Sequence, residues 1–345
     1  MKEILLLIFL IFSFNTYSQE NIKFSKTIKT EDLYKHLLVL SSDSLEGRET
    51  GKRGQKMAAD YIASFFSSIG IPPYKKQTYY QKFKVKSGRH LCKCEDCDVN
   101  FIKNLMSNKK NIKGENVLGF IEGSDLKEEL IIITAHYDHL GIHDSIVFNG
   151  ADDDGSGTVA AMEIAEAFQI AKENGFGPRR SVLVMAVSGE EKGLLGSKYY
   201  TDNPEYSLKN TVANLNIDMI GRLDDWHDSS NYVYLIGSDR LSLDLHEISE
   251  NVNKNHIGLD LDYRFNDEDD PNRYYYRSDH YNFAKNNIPV IFYFNGVHED
   301  YHKETDTIEK IDFKKIETIT RLIFLTAWEI VNRDERIKLI KSTKI

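Results

Sequence analysis

The chain is expected to fold as an α/β protein on a mostly parallel, doubly wound mixed sheet with helices on both faces. Three observations carry that expectation. From residue 117 onward, short apolar runs alternate with amphipathic stretches of helical period, the pattern of strands joined by helical crossovers. The run Ser181–Val187 is apolar almost throughout, as in a strand covered on both faces. The 345 residues are 41% hydrophobic and 28% charged, an ordinary globular balance that supplies one large core. A sheet of this size commonly stays one domain.

Glu31–Leu40 reads as the first helix, with apolar Leu33, Leu37, Leu38 and Leu40. Lys52–Ile69 is a second helix: Met57, Ala58, Tyr61, Ile62, Phe65 and Phe66 keep the 3.6 period, Gly70 stops it, and Pro72-Pro73 forbids resumption. A polar, glycine-bearing loop at 43–51 joins them. Tyr79–Val85 alternates like a strand, and the segment at about 86–113 reads as a surface excursion, with a cysteine cluster and a Lys-rich stretch at 103–113. Val117–Ile121, Leu130–Ala135, Ser181–Val187, Thr211–Ile217, Tyr232–Ile236 and Pro289–Phe294 are strands. Thr158–Ala171, Leu241–Asn253, Asp279–Lys285 and Phe313–Asn332 are helices, and Gly196–Thr201 belongs to another. No internal repeat is visible.

The first residues stand apart. Lys2 supplies positive charge, Ile4–Phe14 is apolar or small, and Thr16 and Ser18 fill the small-residue positions of a cleavage site before Gln19. Residues 1–18 therefore read as a secretory signal peptide, and export to the periplasm or beyond is expected. The run is shorter than the ~20 residues that span a bilayer, and no other segment is apolar enough, so no stable membrane association is expected. No cysteine follows the run, which argues against a lipid anchor. The net charge is −9, and removing residues 1–18 takes away one Lys and one Glu, leaving −9. That acidic balance argues against nucleic acid as a partner. Cys92, Cys94 and Cys97 are the only cysteines. In an exported protein a local disulfide with one thiol left over is the favoured reading, because three soft ligands fall short of a four-ligand structural zinc site. The sequence sets no oligomeric state.

The chemistry lies in the residues just past each strand. His136-Tyr137-Asp138-His139 follows Leu130–Ala135, and Asp152-Asp153-Asp154 comes just before the helix at Thr158. Ser188-Gly189-Glu190-Glu191 follows Ser181–Val187, Asp218 follows Thr211–Ile217, and His298 to His302 follow Pro289–Phe294. Four strands thus deliver Asp, Glu or His at the same end, where ligand sites of such sheets lie. Histidines and carboxylates in one crevice suit one or two divalent metals, zinc above all. A carboxylate outside the metal set can move the proton of an attacking water. The chemistry alone accepts any of the three aspartates at 152–154, and His298 competes with His302.

Six stretches carry a resemblance: His-Tyr-Asp-His-Leu-Gly at 136–141, Gly-Ala-Asp-Asp-Asp-Gly-Ser-Gly at 150–157, Gly-Glu-Glu-Lys-Gly-Leu-Leu-Gly-Ser at 189–197, Asn-Ile-Asp-Met-Ile-Gly-Arg at 216–222, Arg-Ser-Asp-His at 277–280 and Asp-Tyr-His-Lys-Glu-Thr-Asp-Thr at 300–307. In this order they resemble the aminopeptidase Y type of di-zinc metallopeptidase, a family that also contains glutamate carboxypeptidase and the transferrin-receptor ectodomain. The resemblance covers roughly residues 31–335. It implies a zinc-exopeptidase-like fold, a single zinc peptidase domain over 19–345 and two Zn2+ per chain. His136 and Asp218 would hold one ion and Glu191 and His302 the other, with Asp153 bridging. Glu190 would be the general base, Asp138 would orient the His136 ring, and Tyr301 would help stabilise the oxyanion. The implied reaction is hydrolysis of N-terminal peptide bonds in peptides or proteins. Asp279 falls near the site without an assigned role.

Blander readings stand beside these. His139, His143 and His280 are expected to be structural or to support the metal ligands from behind. Asp267–Asp270 is expected to be a solvated acidic loop. Tyr274–Tyr276 lines the pocket rim or merely packs. Rival functions on the same scaffold are a single-zinc glutaminyl cyclase-like transferase, a carboxypeptidase or dipeptidase-like hydrolase, and a non-enzymatic binding protein, which would lack ligands or base.

Overall fold

The computed structural model describes residues 20–73, 77–86 and 111–340. The signal-peptide reading, the three cysteines and most of the Lys-rich stretch lie outside the described residues. Strands are β1 (Tyr80–Lys86), β2 (Asn111–Ile121), β3 (Leu130–His136), β4 (Gly141–His143), β5 (Ile146–Phe148), β6 (Ser181–Val187), β7 (Thr211–Ile217), β8 (Tyr232–Ile236), β9 (Asp260–Asp262) and β10 (Val290–Phe294). The α-helices that matter below are α1 (Thr30–Leu40), α2 (Arg53–Ser68), α3 (Gly157–Glu173), α4 (Leu195–Asp202), α5 (Leu243–Val252), α6 (His280–Ala284) and α7 (Phe313–Asn332).

Eight strands form one sheet in the order β1-β2-β6-β3-β7-β10-β8-β9. The centre is parallel: β6 with β3, β3 with β7, and β7 with β10. The flanks reverse, β2 running against β6 and β8 against β10. This is the expected mixed, doubly wound sheet. From β3 the chain crosses to β6 on one side and returns to β7 on the other. That reversal opens a crevice at the carboxyl end of β3, the ligand position of such sheets.

Strands β3, β6, β7, β8 and β10 are buried along their whole length, which is why they read as apolar runs. On one face Ile131, Ile133, Val182, Val184 and Leu215 pack with α1, α2, α3 and α7. On the other, Leu130, Ile132, Leu183, Met185 and Phe292 pack toward α4 and α6. Helix ends obey local chemistry: Asp312 caps α7 by accepting from the Lys314 and Lys315 amides, both at 3.0 Å. Past α2, Gly70 takes φ +80°, as its stop position demands.

The structure departs from the sequence reading at the excursion. Residues 111–113 are not part of it; they begin β2 and pair with Lys86, Val85 and Lys84. The Lys-rich composition hid a strand held by its neighbour rather than by an apolar face of its own. The hairpin β4–β5 and the edge strand β9, each strand three residues long, were also not expected.

Candidate active site

His136 ends β3, Asp218 directly follows β7, Glu190 and Glu191 follow β6, and His302 lies in the loop after β10. Asp153 comes from the turn between β5 and α3. The parallel centre of the sheet therefore aims all six at one crevice.

Asp153 lies between two groups. Its Oδ1 is 3.2 Å from His136 Nε2, which in turn is 3.5 Å from Asp218 Oδ1. Its Oδ2 is 3.1 Å from His302 Nε2 and 3.8 Å from His139 Nδ1. Glu191 closes the second group, with Oε2 3.4 Å from His302 Nε2 and Oε1 3.0 Å from His139 Nδ1. Possible ligand atoms of His136, Asp153 and Asp218, and of His139, Asp153 and Glu191, lie within 4.8 Å of one another. Asp153 Oδ2, Glu191 Oε1 and both His139 nitrogens are buried without a hydrogen-bond partner. Buried polar atoms this close and unbonded are unusual unless an ion sits among them. Two imidazole-and-carboxylate sets sharing one carboxylate fit a pair of borderline divalent ions such as zinc.

The other two aspartates have different work. Asp154 accepts from the amides of His136 (3.0 Å), Gly157 (2.9 Å) and Met219 (3.0 Å), tying β3, α3 and the end of β7 together. Asp152 accepts from the Gly221 amide at 2.6 Å and faces His298 Nε2 at 3.2 Å. Asp306 accepts from the amides of both Asp152 and Asp153. The turn is thus clamped on three sides, leaving only the Asp153 carboxylate toward the crevice. The peptide between Asp153 and Asp154 is cis. His298 faces Asp152, whereas His302 faces Asp153.

Support reaches the site from Asp138, as expected, and from Thr134, Asn214, Asn216, Ser278, Thr50 and Arg48, side chains to which the sequence reading assigned no role. Asn214 Nδ2 donates to Thr134 Oγ1 (3.0 Å), Thr134 to Asn216 Oδ1 (2.6 Å), Asn216 Nδ2 to Ser278 Oγ (2.8 Å), and Ser278 to Asp218 Oδ2 (2.6 Å). A buried polar relay inside apolar strands ends on Asp218. Asp138 meets His136 Nδ1 through its main-chain carbonyl at 3.1 Å, while its carboxylate stands 3.8 Å away. That carboxylate accepts from Thr50 Oγ1 (2.5 Å) and the Glu190 amide (3.3 Å). Arg48 is buried and donates to the carbonyls of Tyr137, Leu40, Asn149 and Gly150, stitching the 43–51 loop to the turn. The only available signal was the loop's polarity beside glycines. Met219 and His302 adopt left-handed φ of 56° each, local strain of about 1–3 kcal/mol that the surrounding contacts must offset.

The cavity is lined by His136, Asp153, Glu190, Asp218 and His302. Met219, Tyr274, Phe292, Phe294, Val297, Arg277 and Tyr301 line it as well. Burial holds the Glu190 carboxyl well above its usual range, and nearby Asp218 and Glu191 add to this against the pull of His136. Burial opposes the charge on Asp153, but His136 and His302 outweigh it and hold the carboxylate ionised. Burial also lowers His136, yet Asp218 and Asp153 carry it well above the ordinary histidine value. The Tyr301 ring stacks on His302 at 3.9 Å, and burial keeps its hydroxyl protonated. Asp279 accepts from Ser197 Oγ and is held at about 7 by burial.

The remaining expectations sort simply. His139 is wholly buried beside Glu191 and Asp153. His280 packs on Phe292, and His143 lies exposed at the β4–β5 hairpin. In the acidic stretch, Asp267, Glu268 and Asp269 are exposed, while Asp270 is buried and accepts from the amides of Asn272 and Tyr274. Tyr274 lines the cavity, whereas Tyr275 packs beneath Arg240.

Comparison with known proteins bears on this geometry. Residues 116–327 match the model of Peptidase family M28. The chain is 27% identical over 253 residues to aminopeptidase YwaD of Bacillus subtilis, a match covering 67% of this chain and 48% of that protein. The chain thus spans about half the length of this curated relative. Among solved structures, the LapA aminopeptidase of Legionella pneumophila shares the fold with a TM-score of 0.68 at 22% identity, over 92% of this chain and 76% of that one. A Porphyromonas gingivalis glutaminyl cyclase does so with 0.61 at 17% identity, over 87% and 98%. The family match takes in more than half of the chain and every one of the converging residues from His136 to His302, so the chain belongs to peptidase family M28.

Proposed function

We propose that the protein is an exported two-zinc aminopeptidase that hydrolyses N-terminal peptide bonds. The observation that carries this reading is Asp153, whose two oxygens face separate groups, His136 with Asp218 and Glu191 with His302. Zinc bound there would supply Lewis acidity and lower the pKa of a bound water. Glu190 lines the same cavity outside both groups, and its raised pKa suits a carboxylate that takes the water's proton and returns it to the leaving amine. Asp138 keeps the His136 ring oriented through the carbonyl at Nδ1. The protonated Tyr301 hydroxyl can donate to the carbonyl oxygen as charge develops on it. The apolar wall of Met219, Phe292 and Phe294 holds the substrate's first side chain away from water.

The likeness to a glutaminyl cyclase keeps a one-zinc transferase as the rival. Two groups sharing Asp153 favour two ions and hydrolysis. Metal analysis with aminoacyl-p-nitroanilide turnover separates them. Expected are about two zincs per chain, chelator-sensitive release of nitroaniline, and a fall of about 10²–10⁴-fold in Glu190→Gln with metal retained. One zinc per chain, no release and cyclisation of N-terminal glutamine would establish the rival.

A further inference from the structure

We infer that His139 is itself a metal ligand, a fourth protein donor beside Asp153, Glu191 and His302; this rests on the two-metal reading of the same site. Its ring is wholly buried, with Nδ1 3.0 Å from Glu191 Oε1 and 3.8 Å from Asp153 Oδ2. One possible ligand atom from each of these three residues fits within 4.8 Å of the others, as is the case for His136, Asp153 and Asp218. His302 Nε2 reaches the same two carboxylates, 3.1 Å from Asp153 Oδ2 and 3.4 Å from Glu191 Oε2. Two imidazoles thus approach one pair of carboxylates, their ring centroids 6.0 Å apart.

A histidine that merely steadied Glu191 would donate to it from a ring N–H. At 3.0 Å from Glu191, His139 Nδ1 forms no such bond. Glu191 Oε1 and Asp153 Oδ2, the two carboxylate oxygens nearest to it, are also buried without a hydrogen-bond partner. Three buried polar atoms that face one another and stay unbonded are explained together by a cation among them. His139 Nε2 is unbonded in either case, so Nδ1 is the atom that separates the two roles. The fold itself fixes the ring. The His139 amide donates to the Arg48 carbonyl at 3.3 Å, and residue 139 bridges to Glu49. Gly150 leaves room for the imidazole, since a Cβ there would lie 2.4 Å from it. Four protein donors complete a tetrahedral zinc, whereas His136, Asp153 and Asp218 leave their ion a free position. The two ions are therefore unequal, one anchored by the protein and the other open to water and substrate.

The test needs no turnover. A crystal structure of the zinc-loaded chain, with zinc located by its anomalous scattering, is expected to place a His139 nitrogen about 2.0–2.1 Å from one ion. Zinc titration against a competing chelator reads the affinity. His139→Ala is expected to keep one zinc and to weaken the other by more than about 100-fold, beyond the 10–100-fold that loss of a supporting residue costs. His139→Gln keeps a donor for Glu191 and is expected to bind as weakly as His139→Ala. Thermal midpoints in chelator report whether the variants fold; if His139→Ala does not, His139→Gln and the wild-type crystal decide. Two zincs with both His139 nitrogens beyond about 3 Å of either ion, or wild-type zinc affinity in His139→Gln, overturns this inference and leaves the two-metal reading standing. A wild-type chain that takes up one zinc or none overturns the two-metal reading and this one with it.

Discussion

Ser278 shows how a single hydroxyl can hold a carboxylate of the candidate metal site. It accepts from Asn216 and donates to Asp218 inside a buried relay. Ser278→Ala leaves Asn216 Nδ2 and Asp218 Oδ2 short of a partner. The expected cost is about 1–3 kcal/mol of stability, together with a loss of about 10–100-fold in zinc affinity. Denaturant melts and chelator competition measure the two, and unchanged zinc affinity would reduce Ser278 to a packing residue. The histidines carry a second prediction. Burial pushes His302 down, but Glu191 and Asp153 outweigh it and hold the ring at about 11. A metal must displace that proton, so zinc binding should release protons near pH 7 and tighten by up to about tenfold per pH unit from 6 to 8. Calorimetric titration in two buffers of different ionisation heat reads the release directly; heats independent of buffer would refute it. At this scale the motifs made the ligand types legible. Residue chemistry alone left open which aspartate and which histidine face the crevice, and only the motif resemblance chose Asp153 and His302; the physical orientation depends on Asp306, Gly221 and Asp152, contacts spanning up to 154 residues of chain.

Between strand and helix, the turn at 150–154 decides the geometry. Gly150 has φ +53°, and a Cβ there would lie 2.2 Å from the Asp153 carbonyl oxygen and 2.4 Å from the His139 ring. Gly150→Ala should therefore displace both Asp153 and the His139 ring beside Glu191. The expected result is a chain that still folds, less stable by about 1–3 kcal/mol, with less than two zincs bound and activity largely lost. Wild-type zinc stoichiometry in that variant would mean the turn tolerates the shift. The strands themselves were readable as apolar runs, and α2 and α7 as periodic ones. The short hairpin β4–β5 and the start of β2 were not, because three-residue pairings and a Lys-rich strand take their stability from neighbours rather than from intrinsic pattern.

For the whole molecule, the two groups join β3, β6, β7 and the loop after β10, so ions bound there would cross-link the centre of the sheet. Zinc at about 100 times its Kd should add about 2.7 kcal/mol to stability and raise the thermal midpoint by about 4 °C, reversed by chelation. Differential scanning calorimetry with and without chelator checks this; an unchanged midpoint would mean that the site is not loaded or is not coupled to the fold. The sequence by itself determined the fold class and the types of ligand. Apolar periodicity and the chemistry of residues after strands are local properties, visible in a string of letters. Only the tertiary structure decided the strand order, the reversal that opens the crevice at β3, and the clamps from Arg48, Thr50, His139 and Ser278. Those depend on contacts between distant segments, where burial and hydrogen-bond geometry, rather than local pattern, select the partner.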